Sequence, residues 1–301
     1  MPLPTLIDYT APVPPITDLP VNRAGWALEA ERAAILVHDM QEYFLRPFAA
    51  TCPALRSARE AIARILSAAR IAEVPVFYTA QQGDQDQTKR GLQKDLWGPG
   101  MSADPAHTDL VADLAPLDQD IVLTKHRYSA FYHSDLAQHL KAQGRHQLII
   151  VGVYAHIGVT ATALDAFQQE IHPFLVADGV ADFSASDHSR ALEQVAACSG
   201  VVVLSDEVVA AFGSSSRAQG SADWDVVLSD ALARAVPTDV ANAAQNAPDA
   251  DMFELGLNSL QAFELLDDIA DAGAAIDFGD FVRTPTLAFL RARGEVAAPS
   301  A

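Results

Sequence analysis

Six short apolar runs mark the first two thirds of the chain: AAILVHDM (33–40), VPVFYTAQ (74–81), DIVLTKHRY (120–128), HQLIIVGVY (146–154), PFLVADG (173–179) and GVVVLSDE (200–207). They are rich in β-branched residues and apolar at consecutive rather than alternate positions, as in strands covered on both faces. Stretches with helical spacing separate them, ALRSAREAIARILSAARIA (54–72) being the longest. Strands alternating with amphipathic helices predict a parallel sheet with a helical layer on each side. Residues 1–30 are Pro-rich and irregular, an arm whose LIDY segment and Trp26 are expected to lie along the main body.

The alternation stops at GSSSRAQGSAD (213–223), a run of small and polar residues of the kind that makes flexible linkers. Beyond it no strand pattern returns. WDVVLSDALARAV (224–236), LNSLQAFELLDDIA (257–270) and FVRTPTLAFLRAR (281–293) have helical spacing, and they predict a small all-α bundle over 224–301. Two bodies are therefore expected, 1–212 and 224–301, joined by 213–223.

Composition narrows the function classes. The 301 residues carry a formal charge of −19, and 13 acidic against 4 basic residues fall in 224–301. A nucleic acid or an anionic membrane surface needs a basic stripe, which is absent. No apolar run approaches the roughly 20 residues that span a bilayer, and the N-terminus lacks a basic segment followed by an apolar one. Cys52 and Cys198 are the two cysteines, so neither a disulfide framework nor a Cys/His zinc cluster is expected. A reducing, cytoplasmic setting fits. Cys198, in VAACSGVVV, reads as a small buried residue.

Open parallel sheets bind ligands at the carboxyl ends of their strands. The first four strand ends carry Asp39, Gln81, Lys125 with Arg127, and Tyr154 with His156 and a Gly158 turn. A polar group stands at each place, which implies one cleft. The fourth strand turns directly into the helix GVTATALDAF, a corner at which α/β hydrolases seat a nucleophile. Here it holds Ile157, Gly158 and Val159, with no Cys, Ser or Thr. His38, His126, His133 and His156 show no ligand spacing and read as core or surface residues, so no metal is expected.

Five ordered motifs, LVHDMQEYF, YTAQ, DLWGPGM, TKHRYSAFYHSDL and GVYAHIGVTATALDAF, resemble the isochorismatase branch of the isochorismatase-like hydrolases over about residues 1–212. The resemblance implies a six-stranded Rossmann-like three-layer sandwich. Amide-cleaving relatives use an Asp, a Lys and a Cys; Asp39 and Lys125 match the first two, and Gly158 stands in place of the third. Non-covalent vinyl ether hydrolysis is implied, with Asp39 as general acid. Its carboxyl must then be protonated, which demands a dry pocket that Val37, Phe44 and Trp97 are expected to supply. A cation at Lys125 opposes this unless a substrate carboxylate takes up its charge. By motif position Gln81 would hydrogen-bond the substrate, Arg90 would grip a carboxylate, Trp97 and Phe44 would wall the pocket, and Tyr154 would follow a cis non-proline peptide. Gly158 would leave room for the ring or for water, and Gln81 or His156 would read the substituent that distinguishes isochorismate from 2-amino-2-deoxyisochorismate.

The segment FELGLNSLQAFELL places Ser259 at a helix start after Gly256, with Leu260, Phe263 and Leu266 expected on one face. On helix grammar alone Ser259 is an N-cap. The segment also resembles the modification motif of acyl and aryl carrier proteins, which implies 4′-phosphopantetheine on Ser259 and an acidic docking face at Glu264, Asp267 and Asp268. Asn258 departs from the Asp usual in carriers, and slower loading is expected. Together the two halves resemble the bifunctional isochorismatase/aryl carrier proteins of catechol siderophore assembly. The partners implied are isochorismate, a phosphopantetheinyl transferase, an aryl-acid adenylating enzyme, a condensation domain of a nonribosomal peptide synthetase, and a second copy of the hydrolase body. Two alternatives stand beside this reading: an aminodeoxyisochorismate hydrolase of a phenazine-type pathway, and a hydrolase fold kept only as a carrier scaffold.

Overall fold

The computed structural model describes residues 3, 4, 6–11, 19–271 and 276–294. Six parallel strands form one sheet: β1 (Ala33–His38), β2 (Val76–Ala80), β3 (Ile121–Thr124), β4 (Gln147–Val153), β5 (His172–Ala181) and β6 (Val201–Val203), in the order β3-β2-β1-β4-β5-β6. All six expected strands are present. The helices in chain order are α1 (Glu42–Leu45), α2 (Pro53–Ile71), α3 (Gln87–Arg90), α4 (Leu92–Trp97), α5 (Pro105–Thr108), α6 (Leu136–Ala142), α7 (Thr160–Gln168), α8 (Ala185–Cys198), α9 (Ser205–Ala235), α10 (Thr238–Asn246), α11 (Ser259–Asp271), α12 (Phe278–Arg283) and α13 (Leu287–Gly294).

The period-2 geometry of a strand sends alternate residues to opposite faces, so each apolar run fills two cores. Ile35 and Val37 of β1, with Ile149 and Val151 of β4, pack with Ala58, Ile62 and Ile65 of α2. Their neighbours Ala34, Leu36, Leu148 and Ile150 pack on the other face with Leu136, Ala163 and Leu192 of α6, α7 and α8. Three layers result. Val37, fully buried in the first of these cores, lies in the sheet rather than in the wall of the cleft described below. The described parts of the arm lie along this body as expected: Ile7 pairs with Phe48, and Trp26 stacks on His172 with ring centroids 4.4 Å apart.

The strand order reverses between β1 and β4, whose carboxyl ends meet side by side. Gly152 permits the meeting. It has φ +108°, and a Cβ there would stand 2.2 Å from the His38 carbonyl oxygen. Neither the backbone nor its neighbour can give way, so Gly152→Ala is expected to leave little soluble protein, or to lower the urea midpoint drastically, by a cost of several kcal/mol. A wild-type midpoint would contradict this account of the β1/β4 junction.

The chain divides into two compact units, Met1–Ser215 and Ser216–Ala301. The polar segment 213–223, expected to be irregular, is helical in its backbone and falls within α9. Ala, Arg, Gln and Ser carry no backbone conflict with a helix, and the two glycines cost only about 1 kcal/mol each relative to alanine. Conversely, the helix expected over 281–293 is two, α12 and α13, because Pro285 cannot donate the hydrogen bond a continuous helix requires. Cys198 is exposed, not buried, at the last turn of α8. The buried core of the second unit includes Leu257, Ala262, Leu265, Leu266, Ile269 and Phe281. Among the described residues no helix is long and apolar enough to cross a membrane.

Candidate active site

A cleft open to solvent at its mouth lies at the carboxyl ends of β1 to β4. Asp39 follows β1 with φ +52°, a left-handed conformation that Asp tolerates better than most residues. Its carboxylate is buried and fully engaged: Thr79 on β2 donates to Oδ1 at 2.6 Å, and the Lys125 ammonium donates to Oδ2 at 2.8 Å. Lys125 is itself buried and is anchored by its own amide to the Ala80 carbonyl at 2.9 Å.

Burial, the largest influence on Asp39, raises its pKa; the Lys125 charge, His38 and the Lys125 and Thr79 hydrogen bonds together outweigh it, and the net shift is downward. In the ligand-free protein Asp39 is thus held toward its carboxylate form, the effect expected of a cation at Lys125. Lys125 decides the matter, since its ammonium stands 2.8 Å from Asp39 Oδ2 and opposes protonation, with no second carboxylate paired to it among the described residues.

Five more expected residues, Phe44, Gln81, Arg90, Trp97 and Tyr154, line the same cleft. The backbone of Gln81 is fixed by Gln41, whose Oε1 accepts from the Gln81 amide at 2.7 Å while its Nε2 donates to the Gln81 carbonyl at 2.9 Å. Arg90 ends α3 and is buried; its Nε donates to the Gly98 carbonyl at 2.7 Å and its Nη1 to Gln85 Oε1 at 3.0 Å. Among the described residues no carboxylate pairs with it, and burial draws its pKa down. Gly100, at φ +92°, gives the guanidinium its space, since a Cβ there would lie 2.8 Å from Nη1. Trp97 donates to the Tyr128 hydroxyl at 2.7 Å, and Phe44 meets Tyr154 edge to face at 6.1 Å. The Val153–Tyr154 peptide is cis.

Two expectations are corrected. His156 does not line the cleft: its amide and Nδ1 each lie 2.6 Å from the buried carboxylate of Asp182. Burial lowers its pKa, but the Asp182 hydrogen bond and charge more than offset this, so it is a partner of Asp182 and not a reader of substrate. Gly158 does line the cleft, yet the space beside it is not open, because the His38 imidazole fills it. The sequence reading missed Gln41, Tyr128, Gln93 and Phe183. All but Phe183 lie in or beside the quoted motifs, but nothing in spacing or residue type singled them out.

In the second unit, Ser259 is the first residue of α11 and is exposed. The N-cap is Asn258, whose Oδ1 accepts from the Gln261 amide at 3.0 Å while Gln261 Oε1 accepts from the Asn258 amide at 3.1 Å. This reciprocal capping box replaces the cap expected of Ser259 and leaves its hydroxyl available. Leu260 and Phe263 are exposed, on a different face from the buried Leu266. Phe263 stacks on Phe278 with ring centroids 3.9 Å apart. Glu264 and Asp267 are exposed, and Asp268 pairs with Arg234 at 3.4 Å. Among the described residues there is no cluster of three or more His, Cys, Asp or Glu fit to hold a metal ion.

Residues 33–207, more than half of the chain, match the isochorismatase domain family. The chain belongs to the isochorismatase family. Residues 230–291 match the phosphopantetheine attachment site family, so a carrier domain follows the isochorismatase domain. Enterobactin synthase component B of Escherichia coli K12 is 38% identical over 287 residues, covering 95% of this chain and 96% of that protein. The phenazine biosynthesis protein PhzD1 of Pseudomonas aeruginosa is 49% identical over 208 residues, 69% of this chain and 98% of that protein, and thus matches the isochorismatase part alone. The crystal structure of a cysteine hydrolase from Pseudomonas syringae pv. phaseolicola superposes with a TM-score of 0.59 at 25% identity, covering 66% of this chain and 99% of that one. The architecture of the isochorismatase part is thus shared with that protein.

Proposed function

We propose that this chain hydrolyses the vinyl ether of isochorismate to 2,3-dihydro-2,3-dihydroxybenzoate and pyruvate, and carries an aryl acid as a thioester on its second unit. The observation that carries the hydrolytic half is the buried Asp39–Lys125 pair facing a cleft whose corner after β4 bears no nucleophile and whose wall holds a buried Arg90 that no carboxylate among the described residues pairs with. Such a site offers charge for carboxylates and a carboxyl for proton transfer, and among the described residues no Cys, Ser or Thr lines it. Cys52 and Cys198 do not line the cleft.

In this mechanism Arg90 and Lys125 receive the two substrate carboxylates. The incoming negative charge offsets the Lys125 ammonium, and the Asp39 pKa rises as a result. Asp39 takes one proton from solution and delivers it to the terminal CH₂ of the enolpyruvyl group. The C–O π-system becomes an oxocarbenium ion, water adds to its carbon and loses a proton, and the hemiketal breaks to a ketone and an alcohol. No bond to the protein forms. Phe44, Trp97 and Tyr154 keep the site apolar around Asp39.

Pyruvate release coupled to lactate dehydrogenase tests the activity. The pH profile tests the mechanism. Because Asp39 is ionised in the free protein, productive binding takes up a proton, so kcat/KM is expected to fall about tenfold per unit as pH rises from about 6 to 8. Over the same range kcat stays level until the raised pKa of the complex is passed. A level kcat/KM would mean that no proton is acquired on binding.

Identity to the phenazine protein over the hydrolase unit favours a second substrate, 2-amino-2-deoxyisochorismate. Collinearity with the enterobactin component along 95% of the chain favours isochorismate, and side-by-side turnover decides. For the carrier half, the exposed Ser259 hydroxyl beside an Asn258 cap fits attachment of 4′-phosphopantetheine, which supplies the thiol that holds the acyl group. The phosphate would sit at the amino end of α11, where free amides and the helix dipole favour an anion. An aryl-acid adenylating enzyme and a condensation domain are the partners that such a carrier serves. An active hydrolase would exclude the scaffold reading.

A further inference from the structure

The corner after β4 lacks a nucleophile, and His38 occupies the volume that one would need. A Cβ built on Gly158 would lie 2.2 Å from Cε1 and 2.8 Å from Nε2 of His38, and 3.2 Å from the Tyr128 carbonyl oxygen. Gly158 lies outside the left-handed region, so its backbone does not itself demand glycine. The exclusion comes from the imidazole. That ring is not free to swing away: His38 is fully buried at the end of β1, and its Nδ1 lies 2.8 Å from the Val153 carbonyl oxygen. Its Nε2 lies 3.4 Å from the Tyr128 carbonyl oxygen; a carbonyl only accepts, and the shorter contact assigns the proton to Nδ1. Burial, then the neighbouring Lys125 charge, pull the pKa to about 4, and the ring is neutral under working conditions.

We propose that His38 sets the reaction type of this cleft: its ring stands where a side chain at position 158 would stand, so that His38 and Gly158 act as a coupled pair that keeps a nucleophile out. His38 is a positioning residue. It lines the cleft beside Asp39, and its bond to Val153 ties the end of β1 to the end of β4. The coupling makes two positions far apart in sequence vary together: a Cys at 158 requires a smaller side chain at 38, and a His at 38 requires glycine at 158. This inference rests on the hydrolytic reading only for its catalytic readout, since the steric coupling exists whatever the substrate.

The test uses four full-length proteins: wild type, Gly158→Cys, His38→Asn and His38→Asn/Gly158→Cys. Asn keeps a donor for the Val153 carbonyl and removes the ring atoms that reach Gly158. Gly158→Cys alone is expected to lower the urea midpoint and to reduce pyruvate release at least tenfold. Adding His38→Asn is expected to return the midpoint to that of His38→Asn alone, and iodoacetamide is expected to add one alkyl group at the introduced thiol beyond that on exposed Cys198. If Gly158→Cys is insoluble, a soluble double variant supports the coupling and an insoluble one, with His38→Asn soluble, overturns it. A Gly158→Cys protein with the wild-type midpoint, or a double variant as destabilised as the two single changes combined, also overturns it. If the wild type releases no pyruvate, the hydrolytic reading fails while the midpoints and the alkylation still decide the coupling.

Discussion

An Asp39→Asn protein is expected to fold and to release pyruvate from isochorismate about a thousandfold more slowly than the parent, the mid-range effect of losing a positioned general acid. The amide preserves shape, and its oxygen can still accept from Thr79, as Oδ1 does now at 2.6 Å. Its NH₂ would face the Lys125 ammonium, donor to donor, where a carboxylate oxygen stands today at 2.8 Å. A buried ammonium left without its anion costs about 3 to 5 kcal/mol, so the unfolding midpoint falls as well and has to be measured alongside the rate. Asp39→Asn combined with Lys125→Met removes both charges. It is expected to recover much of the stability and none of the activity, which separates the loss of rate from the loss of stability. Retention of more than a tenth of the parent kcat by Asp39→Asn would show that the proton comes from elsewhere.

Ser259→Ala is expected to abolish the phosphopantetheine mass increment that the parent gains from a phosphopantetheinyl transferase and coenzyme A, with pyruvate release unchanged. The effect is all or none because the hydroxyl oxygen is the atom that forms the phosphodiester. The change is mild for the fold: Ser259 is exposed at the first position of α11, and the cap is made by Asn258 with Gln261. Asn258→Asp keeps a capping acceptor and is expected to load faster than the parent. A mass gain on Ser259→Ala would place the attachment on another residue.

Legibility of the molecule varied with the range of the interactions involved. All six strands and α2 were read from apolar runs, because burial of a strand on two faces leaves its mark on consecutive residues. Breaks governed by one residue were read less well. Pro285 splits the last helical stretch, and the small-residue segment 213–223 is helical because none of its residues forbids it. The buried face of α11 differs from the expected one: Leu260 and Phe263 are exposed, while Ala262, Leu265 and Ile269 are buried. Apolar residues on both faces make the periodicity ambiguous, and the packing of α10 to α13 resolves it. At the cleft, Asp39, Gln81, Arg90, Trp97, Phe44, Tyr154, Lys125 and Gly158 converge as expected, whereas His156 turns to Asp182.

The sequence by itself determined the strand–helix alternation, the all-α second unit, the polar residue at each strand end and the absence of a nucleophile after β4. These are local properties, written in the composition and spacing of contiguous residues. Tertiary structure alone decided the contact that holds Asp39 ionised and the meaning of Gly158. Lys125 is 86 positions from Asp39 and His38 is 120 from Gly158, and no local pattern reports that one ammonium lies 2.8 Å away or that one ring fills another residue's place. Coulomb energy and steric exclusion depend on distance in space, and the β3-β2-β1-β4 order of the sheet sets those distances.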